Sequence, residues 1–188
     1  MDSRTWSFSD QIAKKAAQIR LLALDVDGIL TDGSIIYAES GFQVQRFHVR
    51  DGLGIKLMAL HGVETAIISA RGSMALEKRC QELGIKHVFQ SVGDKLACLD
   101  ELLVELGLSY NQVCGVGDDW VDLPVLTRCG LSVTVRDAAT DMAKYVDYVT
   151  SAPGGKGAVR EVCELILHSK GLLETSIKAY LQPQKIIK

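Results

Sequence analysis

Two acidic clusters dominate the chemistry this chain could perform. The first is Asp25-Val26-Asp27-Gly28-Ile29-Leu30-Thr31-Asp32, which follows an apolar run directly. Carboxylates two residues apart at a strand end point the same way while the strand lasts, and a bend at Gly28 lets the second swing over the first. Such a pair can divide the labour of a phosphoryl transfer. Asp25 attacks phosphorus, while Asp27 protonates the leaving oxygen and then activates water. The second cluster is Gly117-Asp118-Asp119-Trp120-Val121-Asp122, again after an apolar run. A hard cation such as magnesium takes oxygen ligands. Asp25 and Asp118, with a main-chain carbonyl, would hold it and offset the repulsion between a carboxylate nucleophile and a phosphate dianion. Taken alone, Gly117-Asp118-Asp119 reads equally well as a helix N-cap, and Asp119 and Asp122 both remain open as the cap.

Two further positions join these clusters. Ser69 closes the apolar run Ile67-Ile68 and precedes Ala70-Arg71; its hydroxyl and the amides after it could bind a phosphoryl oxygen, or simply cap a turn. Lys95 follows Gly93-Asp94 at the start of a helical pattern, a place where the helix dipole disfavours a cation. That misfit is easier to accept if Lys95 faces a phosphate and Asp25. The guanidinium of Arg50 or Arg71 could read a carboxylate in two-pronged fashion, the alternative for each being a surface ion pair. Gly154–Gly157 could form a flexible loop carrying Lys156 to the substrate, or only lead into a helix. His61, His87 and His168 are scattered, and structural or exposed roles are expected for them.

The elements that would position these residues alternate between β and α patterns. Strands are expected at Arg20–Val26, Val63–Ser69, Lys86–Phe89, Gln112–Val116, Leu131–Val135 and Tyr148–Val149. Helices are expected over residues 9–18 and at Gly52–His61, Ser73–Leu83 with Gly84 as its stop, Asp94–Leu106 with Gly107 as its stop, and Val159–Leu167. Ser34–Ala38 and Gln43–Val49, flanking Glu39-Ser40-Gly41, suggest a β-hairpin. The alternation predicts an α/β fold, a doubly wound parallel sheet with right-handed crossovers. In such sheets ligands bind beyond the carboxyl ends of the strands, where Asp25, Ser69 and Asp118 would meet. With no repeat, linker or low-complexity tract, residues 1–188 read as one domain, with a core over about 20–171 and a tail over 172–188 that has no evident place in the core.

Composition narrows the class. The chain has 188 residues, a hydrophobic fraction of 47% and a net charge of -2, as expected of a globular protein with one good core. That charge offers no basic surface for nucleic acid. No apolar run approaches the ~18 residues that span a bilayer, and the first twenty residues lack an apolar signal core, so a cytoplasmic location is expected. Cys80, Cys98, Cys114, Cys129 and Cys163 include no C-x-x-C pair, and reduced core thiols are expected.

The order D-x-D-G-x-L-T-D, an apolar strand ending in Ser, a Lys, then G-D-D-x-x-D resembles the haloacid dehalogenase-like superfamily. That resemblance implies an aspartyl-phosphate intermediate and magnesium. Asp25 is then nucleophile and metal ligand, Asp27 acid/base and ligand through its carbonyl, Asp118 a ligand, and Ser69 and Lys95 hold the phosphoryl group. Phe47–Ile55, Gly154–Glu161, Leu24–Gly33 and Gly117–Pro124 further resemble the 3-deoxy-D-manno-octulosonate 8-phosphate phosphatase family over about residues 20–171. This implies a small acidic sugar phosphate as substrate, a role in making the lipopolysaccharide inner-core sugar, a homotetramer, and no cap domain. It also implies substrate-facing roles for Asp27, His48, Val49, Arg50, Asp51, Gly52, Lys56, Arg71, Arg79 and Lys95. His48 stands where many members have Asn, and Ser69 where many have Thr.

The intervals between motifs give assembly into an oligomer, of no fixed size, separate support. Between Asp27 and Ser69 there is room only for a hairpin and one helix, and between Ser69 and Asp118 only for a helix, a strand and a helix. A site that profits from limited water access could then be covered by a neighbouring subunit, with the Ile35, Ile36, Tyr37, Phe42, Val44 and Phe47 side chains of the hairpin as the assembly surface, the alternative being an ordinary hairpin packed on its own domain. Competing readings are a phosphatase for another sugar-acid phosphate, such as a sialic-acid-type 9-phosphate, a non-catalytic assembly module, and a phosphotransferase or mutase.

Overall fold

Leu21–Leu24, four apolar residues all buried, form strand β1 at the middle of the main sheet. The computed structural model describes residues 8–39, 41 and 43–181. Helix α1 (Asp10–Ala17) precedes β1. After it come a hairpin of β2 (Ile36–Tyr37) and β3 (Gln43–Val44), helix α2 (Val49–Leu60), strand β4 (Glu64–Ile68), helix α3 (Met74–Leu83), strand β5 (His87–Phe89) and helix α4 (Lys95–Leu106). Strand β6 (Val113–Val116), the single-turn helix α5 (Leu123–Leu126), strands β7 (Leu131–Thr134) and β8 (Tyr148–Val149), and helices α6 (Ala158–Ser169) and α7 (Leu173–Tyr180) complete the order. The sheet runs β5-β4-β1-β6-β7-β8, and every neighbouring pair is parallel.

Alternation along β1 divides the core. Leu22 and Leu24 face a layer that includes Ala16, Ile55, Met58, Val162 and Ile166, while Leu21 and Ala23 face Leu99, Leu102, Leu103 and Val125. Helices α1, α2 and α6 thus cover one face, and α4 and α5 the other. Each fully buried Leu or Ile contributes about 1.5–3 kcal/mol relative to exposure, so two continuous layers hold the sheet rigid beneath its carboxyl ends.

Helix boundaries follow their caps. The Ser73 hydroxyl accepts from the Ala75 and Leu76 amides, the Asp94 carboxylate accepts from those of Leu96 and Ala97, and Gly84 and Gly107 end their helices in the left-handed conformation. Two segments depart from expectation. Helix α2 begins at Val49, three residues before Gly52, and carries Gly52 and Gly54 inside it. Both glycines are buried where α2 meets its neighbours: a Cβ at Gly52 would come within 2.2 Å of the Arg79 guanidinium, and one at Gly54 within 3.1 Å of Cys163. Close helix packing outweighs their weak helix propensity. The hairpin strands are correspondingly shorter, two residues each in the register Ile36↔Val44, Tyr37↔Gln43, because the hairpin buries no face of its own. Phe42 lies outside the described residues.

The tail also differs from expectation. Leu172 and Leu173 pack against the core, and the Ser176 hydroxyl, buried, lies 2.7 Å from His61 Nε2. Residues 182–188 lie outside the described set. The five cysteines are free, and among the described residues no helix is long and apolar enough to cross a membrane.

Candidate active site

Strand β1 lies between β4 and β6, so the chain leaves it at the point where strand order diverges to either side. This is where open α/β sheets bind ligands. Asp25 immediately follows β1, and its amide extends the pairing to the Val116 carbonyl at 3.0 Å. Asp118 follows β6 and Ser69 follows β4, one on each side.

Lys95 gathers the carboxylates. Its Nζ is 2.7 Å from Asp25 Oδ1 and 2.7 Å from Asp122 Oδ1, and the side chain is buried. Burial alone would lower the ammonium's pKa, but Asp25 and Asp122 outweigh that and raise it. Asp122 accepts from the Asp118 amide at 3.0 Å and the Asp119 amide at 3.3 Å through its other oxygen. Asp119 Oδ1 accepts from the Trp120 amide at 2.7 Å. The open choice at this motif is thereby decided: Asp119 caps its own turn, and Asp122 turns inward and ties the Gly117–Asp119 loop to Lys95.

Asp25, Asp118 and Asp122 each place a carboxylate oxygen within 4.8 Å of the others. Desolvation raises the Asp25 pKa to about 6, with Asp122 adding to the shift and Lys95 opposing it. Desolvation, then repulsion from Asp25, Asp122 and Asp119, raises Asp118 to about 7. Carboxylates crowded enough to resist ionisation in each other's company suit a small hard dication, and magnesium fits this donor set. Both Asp122 oxygens are already engaged, so Asp25 and Asp118 are the side chains best able to ligate. The Asp27 carboxylate lies outside the cluster. Gly28 makes room for the Asp118 carboxylate: its φ is +82°, and a Cβ there would sit 2.0 Å from Asp118 Oδ2.

Asp27, two residues beyond Asp25, faces Arg71 and the hairpin. One carboxylate oxygen lies 3.6 Å from Arg71 Nε, and the other accepts from Gln45 Nε2 at 3.4 Å. Gln45 has only a weak signature in the sequence: it alternates with Val44 on the hairpin and so faces the opposite way. Ser69 is buried, and its hydroxyl accepts from the Arg71 amide at 3.2 Å. It caps its turn while standing one strand away from Asp25.

The remaining expected positions make no direct polar contact with the cluster. No hydrogen bond or ion pair among the described residues joins His48, Val49, Arg50, Asp51, Gly52, Lys56 or Arg79 to the Asp25 cluster. Val49, Arg50 and Lys56 are exposed on α2. His48 occupies the N-cap position of α2 without a capping side-chain bond. Arg79 pairs with Glu82 at 3.3 Å. Asp51 is 1% exposed and turns toward α6. Gly154 and Gly155 are buried and Lys156 is exposed; the glycine run is a packed brace, since the Gly155 amide donates to the Ile29 carbonyl at 2.9 Å. His87 pairs with Glu64 at 2.7 Å, and His168 packs edge-on against Phe8.

Residues 84–161 match the haloacid dehalogenase-like hydrolase family. The chain is 45% identical over 166 residues to a 3-deoxy-D-manno-octulosonate 8-phosphate phosphatase of Salmonella typhi, covering 88% of both chains. Among solved structures, the phosphatase of that name from Yersinia pestis superposes with a TM-score of 0.88 at 44% identity, covering 89% of this chain and 90% of that one. The Moraxella catarrhalis phosphatase, solved with magnesium, phosphate and KDO, gives a TM-score of 0.90 at 39% identity over 92% of this chain and 99% of that one.

Proposed function

This chain belongs to the 3-deoxy-D-manno-octulosonate 8-phosphate phosphatase family of haloacid dehalogenase-like hydrolases, and from that membership we propose how its own residues carry the reaction. The activity is magnesium-dependent hydrolysis of 3-deoxy-D-manno-octulosonate 8-phosphate to the free sugar acid and phosphate, within lipopolysaccharide inner-core synthesis. It proceeds through an aspartyl-phosphate.

In our reading, the Asp25 oxygen attacks phosphorus as the bond to the sugar oxygen breaks. Asp27, held by Gln45 and Arg71, gives that oxygen its proton. It then takes a proton from the water that cleaves the aspartyl-phosphate. Lys95 keeps the Asp25 carboxylate oriented and presents positive charge to the phosphoryl oxygens. The Ser69 hydroxyl and the amides after it complete the phosphoryl pocket. Magnesium, held by Asp25, Asp118 and the Asp27 carbonyl, would supply further compensation for the negative charge gathered here. Arg71 is the group best placed to receive the sugar acid's carboxylate.

The observation that carries this reading is Lys95, buried and 2.7 Å from Asp25, beside the crowded Asp118. A buried ammonium serving the strand-end Asp25 and the loop residue Asp122 has little structural justification on its own, since apolar packing would do as well. The test is phosphate release from the eight-carbon and from a nine-carbon sugar-acid phosphate, with magnesium and with chelator, by the natural chain and by Asp25→Asn. The reading expects preference for the eight-carbon ester, loss with chelator, and at least about a thousandfold loss in the variant. Undiminished release by a folded Asp25→Asn protein refutes nucleophilic catalysis by Asp25.

We further propose a homotetramer built through the hairpin. Ile35, Ile36, Tyr37 and Val44 are all about half exposed or more and stand together next to the loop that bears Asp27, an apolar patch of the kind that marks association. A partner seated there would cover a site for which the hairpin is the sole described strand pair outside the main sheet. The five free thiols fit a reducing, cytoplasmic setting.

A further inference from the structure

Helix α6 begins without a cap of its own. Gly157 occupies its N-cap position and makes no side-chain capping bond. The first-turn amides of a helix have no partner within it, and here the partner comes from 109 positions away: Asp51 Oδ1 accepts from the Arg160 amide at 2.7 Å. Asp51 is 1% exposed. It lies in the α2–α6 contact and supplies both the acceptor and the negative charge that a helix N-terminus favours.

The segment entering α6 rests directly on the nucleophile loop. The Gly155 amide donates to the Ile29 carbonyl at 2.9 Å. A Cβ on Gly154 would fall 1.6 Å from the Gly28 carbonyl oxygen, and one on Gly155 would fall 2.5 Å from the Asp32 nitrogen. Gly28 in turn lies against the Asp118 carboxylate. A continuous backbone contact therefore runs from the start of α6, through Gly155 and Gly154, to the turn that aims Asp25 and Asp27 and leaves space for Asp118.

We propose that Asp51 is a positioning residue: by capping α6 from α2 it fixes the Gly154–Gly155 brace and, through it, the Asp25–Gly28 turn, without touching the substrate. The family resemblance implies a substrate-facing role for Asp51; its burial and its bonds point to the interior instead. The inference rests on Asp25 being the nucleophile.

Asp51→Ala and Asp51→Asn, in the full chain, separate the two roles. Each is assayed on the sugar-acid phosphate and on p-nitrophenyl phosphate, a monoester with no sugar and no carboxylate. A displaced nucleophile turn lowers kcat of Asp51→Ala about 10- to 100-fold on both esters by the same factor, because small misplacements of a reacting group are costly. KM for the sugar-acid phosphate stays within about twofold. Asn keeps the Oδ1 acceptor, so Asp51→Asn returns kcat to within about threefold of the natural chain. A KM increase confined to the sugar-acid phosphate, with kcat kept, makes Asp51 a substrate ligand and overturns the proposal. So does an Asp51→Ala protein with a lower Tm and unchanged kcat. If Asp51→Ala does not fold, Asp51→Asn decides alone: unchanged KM supports positioning, and raised KM refutes it. Retained turnover by Asp25→Asn, run in parallel, would instead bring down the nucleophile reading, whatever Asp51 does.

Discussion

Magnesium binding should depend steeply on pH, and its size can be worked from two carboxyl groups. In the metal-free protein Asp25 titrates at about 6 and Asp118 at about 7, and both must be ionised to ligate a cation. At pH 8 nearly all of each is ionised, whereas at pH 5 about one in ten of Asp25 and one in a hundred of Asp118 are. Their product is a loss of about a thousandfold in apparent affinity. Solvent reaching the partly buried Asp118 discounts this toward about a hundredfold. The direction follows from the shifts. Both folded-state values lie above the usual carboxyl value of 3.8, so the stability these groups contribute is fully present below that value and is lost as pH rises through about 6 and 7. The metal-free protein carries its greatest electrostatic burden at pH 8, where magnesium relieves it most. Titration calorimetry at pH 8 and pH 5, in buffers of different ionisation enthalpy, should find affinity falling by that factor and protons released on binding near pH 6. The Tm gain on adding magnesium should be larger at pH 8. An affinity independent of pH, with no proton release, would refute the assignment of Asp25 and Asp118 as ligands.

Three further outcomes are expected. Gly28→Ala places a Cβ 2.0 Å from Asp118 Oδ2 at a φ of +82°, so magnesium titrations of phosphate release should show weaker metal dependence and turnover lower by about a hundredfold. Lys95→Met strands the buried Asp122 and the largely buried Asp25 carboxylates; urea unfolding at pH 8 should show about 3–5 kcal/mol of lost stability, much of it regained at pH 5, where Asp25 is protonated. An equal loss at both pH values would remove the electrostatic account of Lys95. Tyr37→Glu, at a 67% exposed hairpin position, should shift sedimentation toward smaller species and lower turnover together, and a fully active assembly of unchanged size would remove the hairpin as the interface.

Much of this site is legible in the sequence because its signals are local. An apolar strand ending in Asp25-Val26-Asp27-Gly28, a second ending before Gly117-Asp118-Asp119, Ser69 after a third and Lys95 at a helix start are each set by a few adjacent residues. Parallel-sheet topology then requires the strand ends to converge. Helix ends at Gly84 and Gly107 are equally plain, since each glycine directly follows an amphipathic run and takes the left-handed cap conformation at little cost. What only the tertiary structure decided depends on residues far apart in the chain. Asp122 could be a cap or a site residue until Lys95 was seen to reach it. Gly52 and Gly54 looked like the margin of a helix, and they are interior because α3 and α6 press closely on them. Gln45 is an ordinary hairpin residue until the hairpin folds back over Asp27. Asp51 carries no local sign of its partner, because the amide it meets is that of Arg160, 109 positions further on. Spacing determined which groups could do chemistry; packing between distant elements determined which of them face one another.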